Sequence, residues 1–261
     1  MPTATETPFA QQRRLVPEDT RQSDREVTRR PGAGPLLAVC GLVGGAGVTT
    51  LTYLVALAAA RQQGGPILVA DTGGPSGGLA ALAGVEAPRS LPELASHLAV
   101  GLPLKNGIYA AGVAGLRVLA AAPDFGANST IAPVSRILED AREVHRLTVV
   151  DCGTLGRDVD RIAAAAATHL AWVFPATERD VERGEHVLRT APRMAVRELL
   201  VARRDADQPK APLKRLRRLA AERRAPLVLV PQVSGIQCGS ADRVLEEAQV
   251  AIQAILGATL R

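Results

Sequence analysis

Of the 31 lysine and arginine residues in the chain, only Lys105, Lys210 and Lys214 are lysines. Aromatic residues make up 2% of the sequence, too few for a surface that stacks the bases of single-stranded nucleic acid. Cys40, Cys152 and Cys238 are the whole complement of cysteine. Odd in number and scattered, they form neither a metal-ligand spacing nor a disulfide framework, and they imply a reducing compartment. His97, His145, His169 and His186 share no ligand spacing either. No apolar run is long enough for a membrane-spanning helix. The polar, arginine-bearing start from Met1 to Arg30 lacks the apolar middle of a signal peptide. Together these absences predict a cytoplasmic chain with no integral membrane segment.

What the chain does have is apolar material: 47% of its 261 residues are hydrophobic, enough for one domain with its own core. The arginine-for-lysine bias and the abundance of Ala and Gly point to GC-rich coding. Residues 1–34 are rich in Thr, Gln, Arg, Glu and Pro and read as a disordered arm. It ends in the turn-forming Pro31-Gly32-Ala33-Gly34-Pro35. The domain is expected over 35–261.

Within it, short apolar runs alternate with helical patterns. Strands are expected at Leu36–Gly41, Pro66–Asp71, Leu116–Ala120, Leu147–Asp151, His169–Phe174, Glu198–Ala202 and Pro226–Val230. Helices are expected at Thr50–Gln62, Val134–Val144, Val159–Ala166, Asp180–Thr190 and Ala241–Leu256. Continuous apolar strands alternating with helices predict an α/β fold of three layers, a mostly parallel sheet flanked by helices on both faces. Such sheets bind ligands at the carboxyl ends of their strands.

The first strand runs into Gly41-Leu42-Val43-Gly44-Gly45-Ala46-Gly47-Val48-Thr49-Thr50, and a helix follows. Glycines let successive backbone N–H groups turn toward one anion, and the helix dipole adds partial positive charge at the same place. A tight strand-to-helix turn without a ligand is the plainer alternative. The residues of this loop resemble the deviant Walker A loop of the MinD/ParA family, Lys-Gly-Gly-x-Gly-Lys-Thr-Thr. The resemblance extends over residues 36–257. Pro66–Asp71 with Gly77-Gly78-Leu79 is similar to the family's second strand and first switch. Leu116–Pro123 is similar to a following strand, Thr148–Gly153 to the Walker B strand and second switch, and Ala171–Glu178 to the next strand. The fold this implies is the P-loop NTPase type.

The departures from the family pattern are chemical. The signature lysine falls at Val43 and the phosphate-bridging lysine at Val48. The second Asp of the first switch falls at Gly73, within Asp71-Thr72-Gly73. The adenine-holding Asn falls at Ala202. Phosphoryl transfer depends on positive charge placed where negative charge gathers. Losing one such preorganised group can cost about 3–4 kcal/mol in the transition state. Valine at position 48 is expected to stand as an apolar wall against the phosphates. No lysine from Lys105, Lys210 or Lys214 is obviously placed to substitute.

The skeleton of the site remains. Gly44, Gly45, Gly47, Thr49 and Thr50 keep the loop's residue types. The resemblance makes Thr49 and Asp151 the pair that would hold Mg²⁺ if a nucleotide bound. Two readings stand: weak ATP or ADP binding with Mg²⁺, or no cofactor, with Thr49 capping the helix and Asp151 hydrogen-bonded to it.

The net charge of +5 is local. Arg203, Arg204, Lys210, Lys214, Arg215, Arg217, Arg218, Arg223 and Arg224 face only Asp205, Asp207 and Glu222 within their own segment. Leu213, Leu216, Leu219 and Ala220 give that segment an apolar helical stripe. It reads as a solvated helix covering the sheet, or as a contact for DNA phosphates, anionic membrane or an acidic partner. Ala241–Leu260 carries Asp242, Glu246 and Glu247 and reads as a core helix rather than a membrane-surface one. Cys40 and Cys152, ending two neighbouring strands, read as small buried hydrophobes, with a redox role as the alternative.

The function implied is that of a degenerate MinD/ParA-like protein. It would be a non-hydrolysing scaffold or spatial regulator in cell division, partitioning, or pilus and secretion localisation. Its loop resembles septum-site-determining and TadZ/CpaE-type members. Protein partners and a homodimer are implied by the family's faces. Two alternatives are an ATPase completed by a partner or second protomer, and a DNA- or membrane-binding module using residues 203–224.

Overall fold

The computed structural model describes residues 33–62, 65–72, 78–85, 109–110, 113–119, 132–191, 197–204, 212–233 and 241–261. The expected arm through residue 32, His97, Gly73, Gly77, Lys105, residues 120–123, Lys210 and Cys238 lie outside them. At its near end the expected arm is too long. The Gly34 N–H donates to the Arg142 carbonyl at 2.8 Å, and Arg142 Nε donates to the Gly34 carbonyl at 2.8 Å. Gly34 is therefore already part of the fold.

Eight strands form one sheet: β1 (Leu36–Gly41), β2 (Ile67–Asp71), β3 (Tyr109–Ala110), β4 (Leu116–Leu119), β5 (Leu147–Asp151), β6 (His169–Pro175), β7 (Arg197–Arg204) and β8 (Leu227–Pro231). Their order is β3-β4-β2-β5-β1-β6-β7-β8. Every pairing is parallel except that of the short edge strand β3 with β4. The seven strands expected from the sequence are all present; β3 is the addition. β1 lies between β5 and β6, so its carboxyl end opens into the crevice where the chain leaves for opposite sides of the sheet.

The helices are α1 (Val48–Arg61), α2 (Gly78–Ala83), α3 (Ala132–Val144), α4 (Asp158–Ala166), α5 (Glu178–Thr190), α6 (Leu213–Arg223) and α7 (Ala241–Thr259). Alternation along β1 divides the core. Leu37 and Val39 join the cluster beneath α1, α2 and α7. Leu36, Ala38 and Cys40 join the cluster beneath α3, α4, α5 and α6. A sheet apolar on both sides must be covered on both sides, which accounts for the three layers.

α1 is buried nearly all round: Leu54, Val55, Ala56 and Leu57 are at most 1% exposed. A helix that is apolar on every side belongs inside a protein, and here it lies between the sheet and α7. The packed face of α7 is Val244, Ala248, Ala251, Ile252, Ile255 and Leu256, in line with the expected core role. No helix among the described residues is long and apolar enough to cross a membrane.

On the opposite face α6 is fastened by charge as well as by Leu216 and Leu219. Arg223 Nε donates to Glu198 Oε2 at 2.8 Å, and its Nη2 also contacts Glu198 Oε1. Its Nη1 donates to the Leu188 carbonyl at 2.7 Å. The side chains of Arg223 and Glu198 are 10% and 3% exposed, so removing one strands the other in a dry place. Arg223→Ala is expected to cost about 3–5 kcal/mol in chemical denaturation. Exposed Arg217→Ala should stay within about 0.5 kcal/mol. Equal effects from the two would show that the clamp contributes nothing.

Candidate functional site

All the parallel strands end on one side of the molecule, and the glycine loop lies there. The loop doubles back tightly. The Gly41 N–H donates to the Gly153 carbonyl at 2.7 Å, and the Leu42 N–H donates to the Val173 carbonyl at 3.0 Å. Gly45 and Gly47 take φ values of 72° and 89°, a left-handed region that glycine enters without steric cost. A side chain added at Gly44 or Gly45 would meet nothing within 4 Å, so the space above the loop is open.

Gly47 is the N-cap of α1. No side chain caps the helix, and its first turn carries no acidic residue. Thr49 therefore does not cap α1, contrary to one of the expectations. Helix N–H groups without a capping side chain are left to water or to an anion.

Val48 differs from its expected place. Rather than standing as a wall against the phosphate position, it is 8% exposed and belongs to the core cluster with Val39, Leu51 and Leu54. Its Cγ2 lies 2.9 Å from the Cβ that Gly41 lacks. The side chain at position 48 has turned inward. Val43 is half-buried and packs against the same cluster.

Asp151, the last residue of β5, is 4% exposed. Its Oδ1 accepts the Gly153 N–H at 2.9 Å, and its side chain is hydrogen-bonded to the Thr49 hydroxyl. The structure thus brings together the two residues expected to meet a metal. A hydroxyl and a carboxylate are oxygen donors, the chemistry Mg²⁺ takes. Burial raises the Asp151 carboxyl above its ordinary pKa. The hydrogen bonds from Thr49 and Gly153 act in the opposite direction, Asp160 adds to the rise and Arg157 opposes it.

The segment after Asp151 is tied to the segment after β2. The Thr72 N–H donates to the Asp151 carbonyl at 3.1 Å. Arg157 Nη2 donates to Asp160 Oδ1 at 2.7 Å and to Thr72 Oγ1 at 3.3 Å. Thr72 Oγ1 is 2.7 Å from the same Asp160 oxygen. Asp160 and Thr72 are 2% and 1% exposed, whereas the Arg157 side chain that joins them is 42% exposed, so the network runs from the interior to the surface. Between them Leu155 adopts φ 58°, an uncommon conformation for a side chain of its kind. Nothing in the sequence singled out Arg157 or Asp160; a basic residue three positions before an acidic one at a helix start is too common a pattern.

The basic segment does not form one cationic face. Arg215 Nη2 pairs with Glu185 Oε2 at 2.7 Å, and Arg218 Nη2 with Glu185 Oε1 at 3.2 Å. The hydrogen bond from Arg215 is the main reason the Glu185 carboxyl titrates below its ordinary range. Arg223 is held by Glu198. Among the described residues, Arg204, Lys214, Arg217 and Arg224 are exposed. Arg203 belongs to a different place altogether. Expected as the start of the basic run, it is the penultimate residue of β7. Its Nη1 donates to the Gly45 carbonyl at 2.9 Å. Arg203 also lines a cavity of about 270 Å³ with Gly45, Ala46, Gly47, Thr50 and Val230.

Cys40 and Cys152 are free and buried. The Cys40 sulfur beside it, together with burial, raises the Cys152 thiol well above its ordinary pKa, which suppresses the reactive thiolate. Ala202 is fully buried in the core. No group of three or more metal-ligating side chains occurs among the described residues.

No family model matches the sequence, and neither does any curated protein. Solved structures do match its fold. A ParA family ATPase from Chlorobium tepidum TLS aligns with a TM-score of 0.66 at 16% identity, covering 87% of this chain and 92% of that one. A chain of the MinC:MinD cell division protein complex of Aquifex aeolicus aligns at 0.66 and 15%, covering 86% and 96%. A cobyrinic acid a,c-diamide synthase from Mycobacterium smegmatis, with bound ATP analogue and magnesium, aligns at 0.63 and 18%, covering 87% and 94%. At these identities the likeness establishes the fold, and the expected resemblance to MinD and ParA is borne out at that level. The third match carries a different chemistry on the same frame, so fold alone does not choose the function.

The Asp151 carboxyl gives a test by pH. Its pKa is raised in the folded protein, so its contribution to stability is fully present in acid and is lost as pH rises through the folded pKa. Asp151→Asn, neutral at every pH, is expected to melt at a higher temperature than the parent at pH 7, with the gap closing toward pH 4. A parent chain more stable than the variant at pH 7 would mean that the carboxylate is better satisfied than its burial indicates.

Proposed function

We propose that this chain is a degenerate MinD/ParA-like protein that acts without hydrolysing nucleotide, as a scaffold or spatial regulator recognised by a protein partner. The observation that carries this reading is the position of Val48. The helix start that would hold a phosphate-bridging cation is occupied by a methyl-bearing side chain packed into the core. Phosphoryl transfer needs charge at that place, preorganised before reaction. The one lysine among the described residues, Lys214, stands exposed on α6 and belongs to no part of the loop.

Retained features support weak binding of a nucleotide with Mg²⁺ rather than its turnover. The loop N–H groups have no capping side chain, the space over Gly44 and Gly45 is open, and Thr49 still meets Asp151. Bound Mg²⁺ would supply neutralisation of phosphate charge there. Thr49 would offer its hydroxyl, and Asp151 would have to be ionised to offer its carboxylate. A chain held in one state by such a ligand, or by none, can present a fixed surface to a partner. The MinC:MinD complex is a partner assembly on this fold, and by analogy the reading extends to a protein partner and a second copy of this chain. The role in cell division, partitioning or pilus and secretion localisation belongs to the same proposal, as does a cytoplasmic site of action.

The reading of residues 203–224 as a nucleic-acid or membrane surface has less support, because Arg215, Arg218 and Arg223 are engaged with Glu185 and Glu198 and Arg203 lies at the loop.

The reading is tested by phosphate release from Mg-ATP over hours, with the purified chain compared against Asp151→Ala. Equal, background-level rates are expected. Magnesium-dependent turnover that disappears in the Asp151→Ala protein would overturn it.

A further inference from the structure

The two edges of the sheet differ. One ends in β3, a strand of two residues, too short to receive another chain. The other is β8, which pairs with β7 on one side and with no strand among the described residues on the other. Its backbone can be followed residue by residue. The Leu200 N–H donates to the Pro226 carbonyl at 2.9 Å, and the Gln232 N–H donates to the Arg204 carbonyl at 2.8 Å. Pro226 and Gln232 therefore face β7. Direction alternates along a strand, so Val228 and Val230 face β7 with them. Leu227, Leu229 and Pro231 turn their backbone groups outward. Pro231, which has no N–H, occupies an outward place, where a strand tolerates proline. The N–H groups of Leu227 and Leu229 are left as outward donors.

Natural edge strands are guarded by charged side chains, bulges or a covering element. β8 reads Leu-Val-Leu-Val-Pro and carries no charge. Val228 and Val230 enter the core cluster on the α7 side. Leu227 and Leu229 alternate onto the α6 side, where Leu227 is partly buried and Leu229 is 37% exposed. The free edge is thus an apolar surface with unpaired backbone donors.

Charge on the α6 side indicates what fits it. α5 packs on β6, and α6 packs on β7 and β8. Arg215 and Arg218 reach toward α5, where both meet Glu185. Residues two apart on a helix diverge by about 160°, so Arg217 lies away from Arg215, on the flank of α6 toward the β8 edge. Arg224 stands three residues before β8 begins. Arg204 lies beside Pro231 in register and follows Leu200 and Ala202 onto the α6 side. Arg204, Arg217 and Arg224 are exposed and take part in none of the ion pairs around α6 among the described residues. A second copy of the chain is a poor occupant. Two-fold pairing of β8 with β8 sets α6 beside α6 and brings like charges together. A nucleic-acid duplex offers no strand to pair with Leu227 and Leu229. An extended polypeptide with carboxylates answers both the backbone and the arginines.

We propose that β8 is a docking edge for an extended acidic segment of a protein partner, which adds to the sheet as a further strand. The segment's backbone pairs with Leu227 and Leu229. An apolar side chain covers Leu229, and carboxylates on either side of it meet the arginines bordering the edge. The assignment rests on the reading that a protein partner recognises this chain, and it supplies the surface and the chemistry of that partner.

Residue-resolved amide exchange of the full chain, followed by NMR, tests the assignment. The probe is a blocked peptide, Thr-Glu-Thr-Val-Thr-Glu-Thr, whose alternation puts Glu, Val and Glu on one face. In the free chain the Leu229 amide should exchange rapidly while those of Val228 and Val230 are protected. The peptide should protect the Leu229 amide and bind more weakly as salt is raised. Arg217→Glu should weaken binding by roughly 10-fold. Leu229→Thr, which keeps a strand-forming residue, should also weaken it. Arg243→Gln, on α7, should match the parent. The same peptide with Lys for Glu, or N-methylated throughout, should not bind.

The proposal is overturned by a Leu229 amide already protected in the free chain, which would mean that the edge is covered. It is equally overturned by no peptide binding at millimolar concentration, by unchanged affinity in Arg217→Glu, or by equal binding of the lysine or N-methylated peptide. Duplex DNA or phosphatidylserine vesicles binding more tightly than the peptide, without protecting Leu229, would assign the arginines to anions at large and also overturn it. The outcomes separate the two proposals. Turnover dependent on Asp151 would refute the non-hydrolysing reading and leave a peptide-binding edge standing. Failure of the peptide, with no turnover, would refute the docking edge and leave that reading standing.

Discussion

The burial of α1 is the constraint from which the site follows. A helix apolar on all sides can sit only between two apolar surfaces, here the sheet and α7. Its axis and its first residue are thereby fixed. The loop from Leu42 to Gly47 must connect the central strand to that helix in six residues, which forces the tight return and the left-handed turns at Gly45 and Gly47. The shape of the loop is thus a consequence of core packing. It persists whether or not a cation remains to complete the chemistry, and the inward turn of Val48 adds the side chain at that point to the core.

Around this fixed loop, charge is arranged in three separate places. Asp151 and Thr49 meet on the β5 side. Arg157, Asp160 and Thr72 tie the segment after β5 to the end of β2, with Asp160 and Thr72 buried and Arg157 at the surface. Arg203 reaches the loop from the β7 side. In an enzyme that cycles between states, such segments need freedom to rearrange with the ligand. Here the Asp160 carboxylate accepts from the Arg157 guanidinium, the Thr72 hydroxyl and the Arg157 backbone N–H at once, which joins the end of β2 to the start of α4.

Much of the fold was legible in the sequence because its signals are strong. Seven apolar runs separated by amphipathic stretches allow little besides a covered parallel sheet. The two-residue strand β3 and the short helix α2 carry too few residues to show a period. Within the site, the loop could be read from residue types in order, and the pairing of Thr49 with Asp151 was what the resemblance implied. The direction of Val48 could not, because a valine at a helix start is compatible with either side until the packing of α1 is known. Arg203 was visible but assigned to the wrong company: adjacency in a basic run grouped it with α6. Extending β7 by two residues and following its alternation from Leu199 and Val201 places it beside the loop. Arg215, Arg218 and Arg223 show the same limit from the other direction, since their partners Glu185 and Glu198 lie 25 to 33 residues away in the chain.

The most direct test of the central claim is a crystal structure of the chain with Mg²⁺ and a non-hydrolysable ATP analogue at saturating concentration. The account predicts Val48 still packed against Gly41 and Leu51. It also predicts phosphate oxygens on the backbone N–H groups of Gly44 to Gly47, and no lysine within hydrogen-bonding distance of the terminal phosphate. A structure in which Lys105, Lys210 or a second copy's lysine reaches that phosphate would contradict it.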